Sequence, residues 1–204
     1  MNRDVIIERL DRSFENYGIR MSSRGDHDLN PGMTPGTELR EAAVLVPLVE
    51  RIDGLTMMLT QRTDHLDHHP GQISFPGGHI EPDDGSPEDA ALREAEEEVG
   101  LDRSHVRIVG RLDQYITRTG FSVTPVVGFV HPEYTIAPDE FEVAEVFEVP
   151  LAFLLDAGNH RRDSRVYKGL KREFYAMPYG DYYIWGATAG MIRNLYDVLV
   201  EGRD

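Results

Sequence analysis

The chain contains no cysteine among its 204 residues. That absence excludes disulfide bonds, thiolate nucleophiles and cysteine-ligated zinc. Long apolar runs are also missing, since no stretch approaches the ~18 residues that suggest a transmembrane helix. Basic residues are outnumbered by acidic ones, 21 against 36, for a formal net charge of -15. This balance argues against sequence-independent nucleic-acid binding, which needs a basic face, but allows a small anionic substrate held by metal ions and local arginines.

The amino-terminal stretch lacks the features of a secretory signal. Acidic residues begin at Asp4, and no long apolar region follows. By elimination we expect a cytoplasmic protein without a membrane partner. The hydrophobic content of 40% and the charged content of 28% are ordinary for a globular protein. The length suffices for one domain with a sizeable core, so we predict a single domain over residues 1–204.

Hydrophobic patterns along the chain indicate a mixture of strands and helices. A leading helix is predicted over 4–16, and the Gly- and Pro-rich segment 21–38 is typical of a linker or a long surface loop. Strands are predicted at 42–49 and 55–62 around Asp53-Gly54, then at 72–78, 106–112, 123–130 and 143–149. A short helix is expected at 150–155, a second hairpin at Lys168-Gly169, and a terminal helix at 185–201. Because strands and helices do not strictly alternate, the predicted fold class is α+β.

A fourth helix is predicted at 87–99 from its end signals. Ser86 suits the N-cap, Pro87 suits the first helical position, and Gly100 suits the residue that ends the helix. Such signals are local: Ser86 and Gly100 suit backbone groups that the helix itself leaves unpaired, and Pro87 has no N–H to leave unpaired.

The segment REAEEEVG, at 93–100, concentrates carboxylates at the end of that helix. At about 100° per residue, Glu94, Glu97 and Glu98 share one stripe, and Arg93 lies one turn before Glu97. Negative charge near a helix C-terminus costs a few tenths to about 1 kcal/mol per residue. A hard divalent cation with oxygen ligands would relieve this repulsion.

The alternative interpretation is a solvated acidic helix face. The preceding Gly77-Gly78 turn favours the functional interpretation, because two adjacent glycines cost conformational entropy that needs a reason. Together, residues 77–101, GGHIEPDDGSPEDAALREAEEEVGL, resemble the Nudix box, the loop–helix–loop signature of the Nudix hydrolases. The half from Arg93 to Leu101 matches that pattern position by position. The first half departs from it: it is one residue longer than usual, and it has Asp83 and Asp84 where a glutamate is usual nearby.

A longer box is typical of the coenzyme A pyrophosphatase branch of the family. The upstream segment MLTQRTDHLDHHPGQISFPGG, at 58–78, is also similar to a segment of that branch. Asp67 stands where that pattern has an arginine. If the family arginine meets a phosphate, this chain must use another cation, for which Arg62 and Arg118 are the candidates.

The resemblance implies a Nudix-type αβα sandwich with a mixed β-sheet, here with an N-terminal helix extension. It implies hydrolysis of the pyrophosphate of coenzyme A or its derivatives to 4'-phosphopantetheine and adenosine 3',5'-bisphosphate, with Mg²⁺ or Mn²⁺ as cofactor. The same chemistry on ADP-ribose, NADH or a dinucleoside polyphosphate is the alternative. A non-catalytic ligand sensor on the same scaffold would be expected to lose the metal carboxylates, and a purely structural protein offers no reason for the glycine turn before them.

The resemblance also assigns roles to individual residues. The implied metal ligands are Glu94, Glu97 and Glu98, with Arg93 orienting a carboxylate. Gly77 and Gly78 would hold a phosphate close to the helix, and Arg62 and Arg118 would bind substrate. The general base is one of the box glutamates or a later acid, Glu142 or Glu145. A homodimer and a monomer are both compatible with the sequence.

Three other clusters admit two interpretations each. His65, His68, His69 and His79 suit surface or substrate contacts better than zinc, since they lack the spacing of a regular zinc helix. The aromatic group Tyr179, Tyr182, Tyr183 and Trp185 is typical of a core but suits stacking on an adenine as well. The basic stretch is a solvated hairpin or a binding site for the 3'-phosphate of coenzyme A; it comprises Arg161, Arg162, Arg165, Lys168, Lys171 and Arg172.

Overall fold

The structure, a computed structural model, describes residues 1–17, 23–66, 69–167 and 169–202, with backbone only for 13–17. The helices are α1 (Arg3–Tyr17), α2 (Pro87–Val99), α3 (Leu151–Leu154) and α4 (Ala187–Tyr196). The strands are β1 (Arg24–Gly25), β2 (Arg40–Arg51), β3 (Gly54–Arg62), β4 (Ile73–Ser74), β5 (Gly77–His79), β6 (Val106–Arg111), β7 (Tyr115–Ile116), β8 (Phe121–Val130), β9 (Val143–Pro150), β10 (Arg161–Tyr167), β11 (Leu170–Tyr179) and β12 (Tyr182–Trp185).

The described strands form two sheets. The larger one has nine strands, with the order β1-β7-β8-β2-β3-β4 along its main path. β5, β6 and β9 pair with β2, β8 and β3, respectively. β2 pairs with β8 in parallel and with β3 in antiparallel orientation, so the sheet is mixed, as predicted. The smaller sheet is antiparallel, in the order β10-β11-β12.

The central strand β2 is buried on both faces. Its side chains alternate, as the period of two in a strand requires. Val46 and Leu48 belong to the apolar cluster that contains Ile192 of α4 and Ile6 of α1. Ala43, Leu45 and Val49 belong to the opposite cluster, which contains the apolar face of α2. Helices therefore cover both faces of the large sheet, which confirms the predicted α+β sandwich.

Helix α2 has the predicted bounds, because its end signals form the expected contacts. The Ser86 hydroxyl accepts a hydrogen bond from the Asp89 N–H at 3.2 Å. Gly100 adopts the left-handed conformation, with φ of 65°, and closes the last turn. Ala91, Ala95 and Val99 are fully buried against the sheet. Since this packing fixes the rotation of the helix, the carboxylate stripe next to it faces a defined direction.

Residues 23–33 differ from a structureless linker. β1 pairs in parallel with β7, and a turn of 3-10 helix follows at Asp26–Leu29. Asn30 is 7% exposed, and its side-chain amide bonds twice to the backbone of Glu173 in β11. This segment therefore joins the large sheet to the small one.

Two predicted elements are interrupted by proline or glycine. The strand predicted over 72–78 is two short strands, because Pro76 has no N–H to donate and Gly77 has a φ of 154°. The terminal helix predicted from residue 185 begins after Gly186, whose φ is 66°, while Trp185 pairs with Ala176 in the small sheet. The helix then continues as a π-helical turn at Asp197–Glu201. Among the described residues, no helix is long and apolar enough to cross a membrane.

Candidate active site

The carboxylates of α2 lie against the Gly77-Gly78 backbone. β5 pairs with β2, which brings both glycines beneath the helix. The Gly77 N–H donates to Oε2 of Glu98 at 3.1 Å. Gly78 lies so close to Glu94 that an added Cβ would be 2.5 Å from its carboxyl carbon. Gly78 is therefore required for close approach of the strand to the Glu94 carboxylate, whereas Gly77 is required for close approach to the backbone of β2.

Arg93 is the centre of an ion-pair cluster beside the helix. Its Nε and Nη2 donate to the two carboxylate oxygens of Asp84 at 3.0 and 2.9 Å. Its Nη1 donates to Glu94 at 3.0 Å and to Glu97 at 3.1 Å. These contacts lower the pKa of Asp84 and raise that of Arg93. Arg93 thus holds two of the three predicted metal ligands, and Asp84 of the unusual first half of the box holds Arg93 in turn.

Glu98 is a buried carboxylate, 8% exposed. Its pKa is raised to about 7, chiefly because burial disfavours the charged form. The Gly77 N–H and Arg62 act in the opposite direction, whereas Glu94 and Glu142 add to the increase. The pKa of Glu94 is also raised, first by burial and then, against Arg93, by Glu97 and Glu142. A group with a pKa near neutrality can gain or lose a proton under physiological conditions.

Arg62 and Glu142 complete this charged group. Nη1 of Arg62 lies 3.7 Å from Oε1 of Glu98, and its Nη2 lies 4.0 Å from Oε2 of Glu142. The Nε atom of Arg62 is buried and has no hydrogen-bond partner among the described residues. A buried donor without a partner destabilises the folded state, so an additional acceptor at this guanidinium would be favourable.

The structure does not bring Glu145 to the same place. Its Oε1 accepts a hydrogen bond from the Tyr182 hydroxyl at 2.8 Å, and the residue is exposed. Of the two later acids considered from the sequence, Glu142 is the one whose charge acts on Glu94 and Glu98. The sequence carried no signal to choose between Glu142 and Glu145 as the proton acceptor, since they are only three positions apart, one just before β9 and one within it.

A cleft of about 470 Å³ opens beside the glycine turn. Its lining includes all four predicted substrate-binding residues: Arg62, Gly77, Gly78 and Arg118. Arg165 and Arg172 of the small sheet also line it, and so do Asp26 and Glu173. Four arginines against two acids make this cleft cationic within a chain of net charge -15. An anionic ligand suits such a lining.

The acidic side chains around α2 form a candidate donor set for a divalent cation. Glu94, Glu97, Glu98 and Glu142 offer only carboxylate oxygens, the ligands preferred by Mg²⁺ and Mn²⁺. Within the described ranges, no three acidic or histidine side chains converge as a ready-made coordination sphere. Arg93 and Arg62 instead pair with these carboxylates. Because burial and mutual repulsion raise the pKa of Glu94 and Glu98, a further countercharge would fit this set chemically.

The histidines predicted as surface or substrate contacts are dispersed. His65 contacts the ring of Phe141, and His69 Nδ1 pairs with Gln72 at 2.9 Å. His79 packs near Phe121, and both His69 and His79 line the cleft. His68, Asp67 and Lys168 lie outside the described residues.

The aromatic group divides between the core and the cleft. Tyr182 stacks on Phe147 at 3.7 Å between ring centroids, and Tyr179 packs against Phe153. The Tyr183 hydroxyl donates to Asp163 at 2.6 Å. Trp185 lines the cleft and packs against Phe174. The core interpretation therefore fits Tyr179 and Tyr182, whereas stacking on an adenine stays a prediction, for which Trp185 is the member that lines the cleft.

Comparison with known proteins agrees with this architecture. The NUDIX domain family model matches residues 39–170. The uncharacterized Nudix hydrolase NudL of Escherichia coli strain K12 is 44% identical over 156 residues, covering 76% of this chain and 81% of that protein. NudL of Shigella boydii serotype 18 matches to the same extent. A MutT/nudix family protein from Enterococcus faecalis of solved structure has a TM-score of 0.52 at 19% identity, covering 93% of this chain and 74% of that one.

A carboxylate-bearing helix beside a cationic cleft suits a hydrolase that acts on phosphorylated substrates. The chain belongs to the Nudix hydrolase family. Nudix hydrolases act on nucleoside diphosphate derivatives and generally need divalent metal ions, typically Mg²⁺ or Mn²⁺. The fold of the Enterococcus faecalis protein supports the architecture alone, because the sequences are distant.

Proposed function

We propose that this Nudix hydrolase cleaves the pyrophosphate bond of coenzyme A or a coenzyme A derivative. The products are 4'-phosphopantetheine, or its acylated form, and adenosine 3',5'-bisphosphate. The observation that carries the proposal is the contact of the carboxylate helix with a large cationic cleft through the Gly77-Gly78 turn. Other nucleoside diphosphate derivatives contain the same bond, so the site alone does not select among them. The choice of coenzyme A rests on the resemblance of residues 58–78 to the coenzyme A branch.

Glu94, Glu97 and Glu98 would hold Mg²⁺ or Mn²⁺. When bound, the cation supplies positive charge that neutralises phosphate oxygens and lowers the pKa of water. Arg93 acts as a positioning residue, because its guanidinium fixes Glu94 and Glu97 and is itself fixed by Asp84. Arg62 lines the cleft, so its guanidinium is placed to pair with a phosphate, and low solvent access strengthens such an attraction.

Hydrolysis adds a water oxygen to phosphorus and breaks the bond to the bridging oxygen. The water proton needs an acceptor, and the leaving phosphate takes the electron pair. Glu98 and Glu142 are the acceptors that the geometry favours, since both lie next to Arg62 at the inner end of the helix. Glu145, the other later acid predicted from the sequence, accepts a hydrogen bond from Tyr182 and is the weaker candidate.

The test is turnover of coenzyme A against ADP-ribose, NADH and diadenosine polyphosphates. Each is incubated with the purified protein and Mg²⁺, Mn²⁺ or EDTA, and products are identified by mass spectrometry. We expect metal-dependent release of adenosine 3',5'-bisphosphate from coenzyme A, well above turnover of the others. Turnover of another compound with coenzyme A left intact would agree with Nudix chemistry but would exclude coenzyme A as the substrate.

A matched pair of variants locates the chemistry on the helix. Glu98→Gln is expected to remove most turnover, whereas Glu96→Gln removes the same charge from an exposed position on the same helix. Glu96 pairs only with Arg103, at 3.8 Å, among the ion pairs of the described residues. Equal activity of the two variants would contradict the assignment of the carboxylate stripe.

A further inference from the structure

The cationic cleft contains a second group of arginines on the small sheet. Arg165 of β10 and Arg172 of β11 are direct cross-strand partners. Like charges directly opposite each other in an antiparallel pair are destabilising. Among the described residues, no carboxylate lies within ion-pair distance of either guanidinium. The sheet therefore keeps two adjacent positive charges without internal compensation.

Arg172 has a further unmet requirement. Its Nε atom is buried and has no hydrogen-bond partner among the described residues, although the residue lines the cleft. Arg62 has the same deficiency, but it belongs to the carboxylate group through Glu98 and Glu142. A buried donor without an acceptor is energetically costly. The cleft thus contains two arginines, on two different sheets, whose Nε atoms each lack an acceptor.

Flat aromatic surface lies beside the second group. The guanidinium carbon of Arg165 is 4.3 Å from the ring centroid of Trp185. Trp185 in turn packs against Phe174 at 5.0 Å between centroids, and both rings line the cleft. Aromatic rings next to arginines are suited to a nucleotide, since the rings can stack on its base while the arginines pair with its phosphate groups.

The wall that presents Arg172 is held from behind. The Asn30 side chain donates to the Glu173 carbonyl at 3.0 Å and accepts from the Glu173 N–H at 3.0 Å. Asp26 accepts from the Arg118 N–H at 2.8 Å and from the Tyr115 hydroxyl at 2.8 Å. Asp26, Asn30 and Arg172 all lie outside the matched range 39–170. Chain segments on both sides of that range therefore build this wall.

We propose that Arg165 and Arg172 form a subsite for a phosphate monoester on the nucleotide half of the substrate, with Trp185 and Phe174 contacting the base. The pyrophosphate would lie at Arg62 and the carboxylates. This orientation rests on the proposed function. The subsite itself rests on the arginine pair, the unpaired Nε and the aromatic wall. It predicts selectivity for nucleotides with a second, separate phosphate.

The test compares two ligands that differ only in that phosphate. Adenosine 3',5'-bisphosphate and 5'-AMP are titrated into the full-length protein by calorimetry in EDTA. We expect the bisphosphate to bind about 10- to 100-fold more tightly, the effect of one charge-assisted hydrogen bond. Arg172→Gln and Arg165→Gln should each remove most of this preference.

Arg162→Gln is the matched control. It removes one positive charge from the same strand, but its position alternates to the opposite face of the small sheet and does not line the cleft. This variant should keep the preference. Equal affinity of the wild-type protein for the two ligands would overturn the proposal, and so would an equal loss in Arg162→Gln, which would reveal an effect of net charge alone.

The outcomes separate this proposal from the proposed function. A bisphosphate preference that depends on Arg172, together with intact coenzyme A in the turnover assay, would retain the subsite and discard that substrate. Turnover of coenzyme A without any preference for the bisphosphate would retain coenzyme A as the substrate and overturn the subsite. If Arg172→Gln fails to fold, as shown by circular dichroism, the wild-type preference and the exposed Arg165→Gln variant still decide the question.

Discussion

Replacing Gly78 by alanine places a methyl group where the Glu94 carboxylate lies. The added Cβ would be 2.5 Å from the carboxyl carbon and 2.6 Å from both oxygens, so the side chain of Glu94 must move. The backbone itself tolerates the change, because Gly78 is not among the glycines with positive φ. The substitution therefore acts on one proposed metal ligand without removing any atom of it.

The expected effect on stability is small. Alanine at a compatible position stabilises by about 0.4–1 kcal/mol through the unfolded chain. Loss of the contact between Glu94 and Arg93 costs about 1 kcal/mol, so the two contributions nearly cancel. Activity should fall much further. Disturbing the groups around a metal typically costs about 10- to 100-fold in metal affinity or activity. The variant should thus melt near the wild-type temperature and require much more Mg²⁺ or Mn²⁺.

Gly77 provides the matched comparison. Its φ is 154°, and an added Cβ would lie within 3.0 Å of backbone atoms of Ala43 and Val44, which cannot rotate away. Overpacking and the unfavourable φ together cost roughly 2–5 kcal/mol. For a chain of this size, that lowers the melting temperature by roughly 5–15 °C. Thermal unfolding and turnover at several metal concentrations would be measured for both variants. Wild-type metal dependence in Gly78→Ala would refute the reasoning.

Three further predictions concern the charged cluster. In EDTA, the raised pKa of Glu98 means that between pH 4.5 and about 7 the folded state keeps a proton that the unfolded chain loses. The free energy of unfolding of the wild-type protein should therefore fall as the pH rises through that window, relative to that of Glu98→Gln. Parallel urea midpoints for the two proteins from pH 4.5 to 7.5 would contradict this. Asp84→Asn should raise the metal requirement about 10-fold by freeing Arg93, with rescue by higher metal concentration. Glu142→Gln should lower kcat about 100-fold and Glu145→Gln less than about 2-fold, and equal losses in stopped assays would exclude Glu142 as the proton acceptor.

Local signals explain the success of the helix and strand predictions. Helix α2 has the predicted bounds because Ser86, Pro87 and Gly100 satisfy its ends within a few residues. Strands β2, β3 and β8 follow from runs of apolar residues that a sheet buries on both faces. The parallel pairing of β2 with β8 was not predictable, because their hydrogen bonds join distant segments of the chain.

The site was predictable in composition rather than in layout. The stripe of Glu94, Glu97 and Glu98 follows from helical periodicity. The role of Asp84 was hidden, because its partner Arg93 is brought close by a loop whose shape the sequence does not specify. The Arg165 and Arg172 pair became evident only from the register of β10 and β11, which sets two positions of a basic stretch on one face and Arg162 on the other.

The parallel pairing of β2 with β8 has a consequence for folding kinetics. The two strands are hydrogen-bonded along their length, yet everything from β3 to β7, including α2, lies between them in the chain. Such non-local pairing makes folding slow, because the intervening loop must close before its contacts form. Helix α2 packs against both strands, through residues that include Ala43 and Val126. We therefore expect a refolding chain to acquire helical signal first and metal affinity only when the crossover closes.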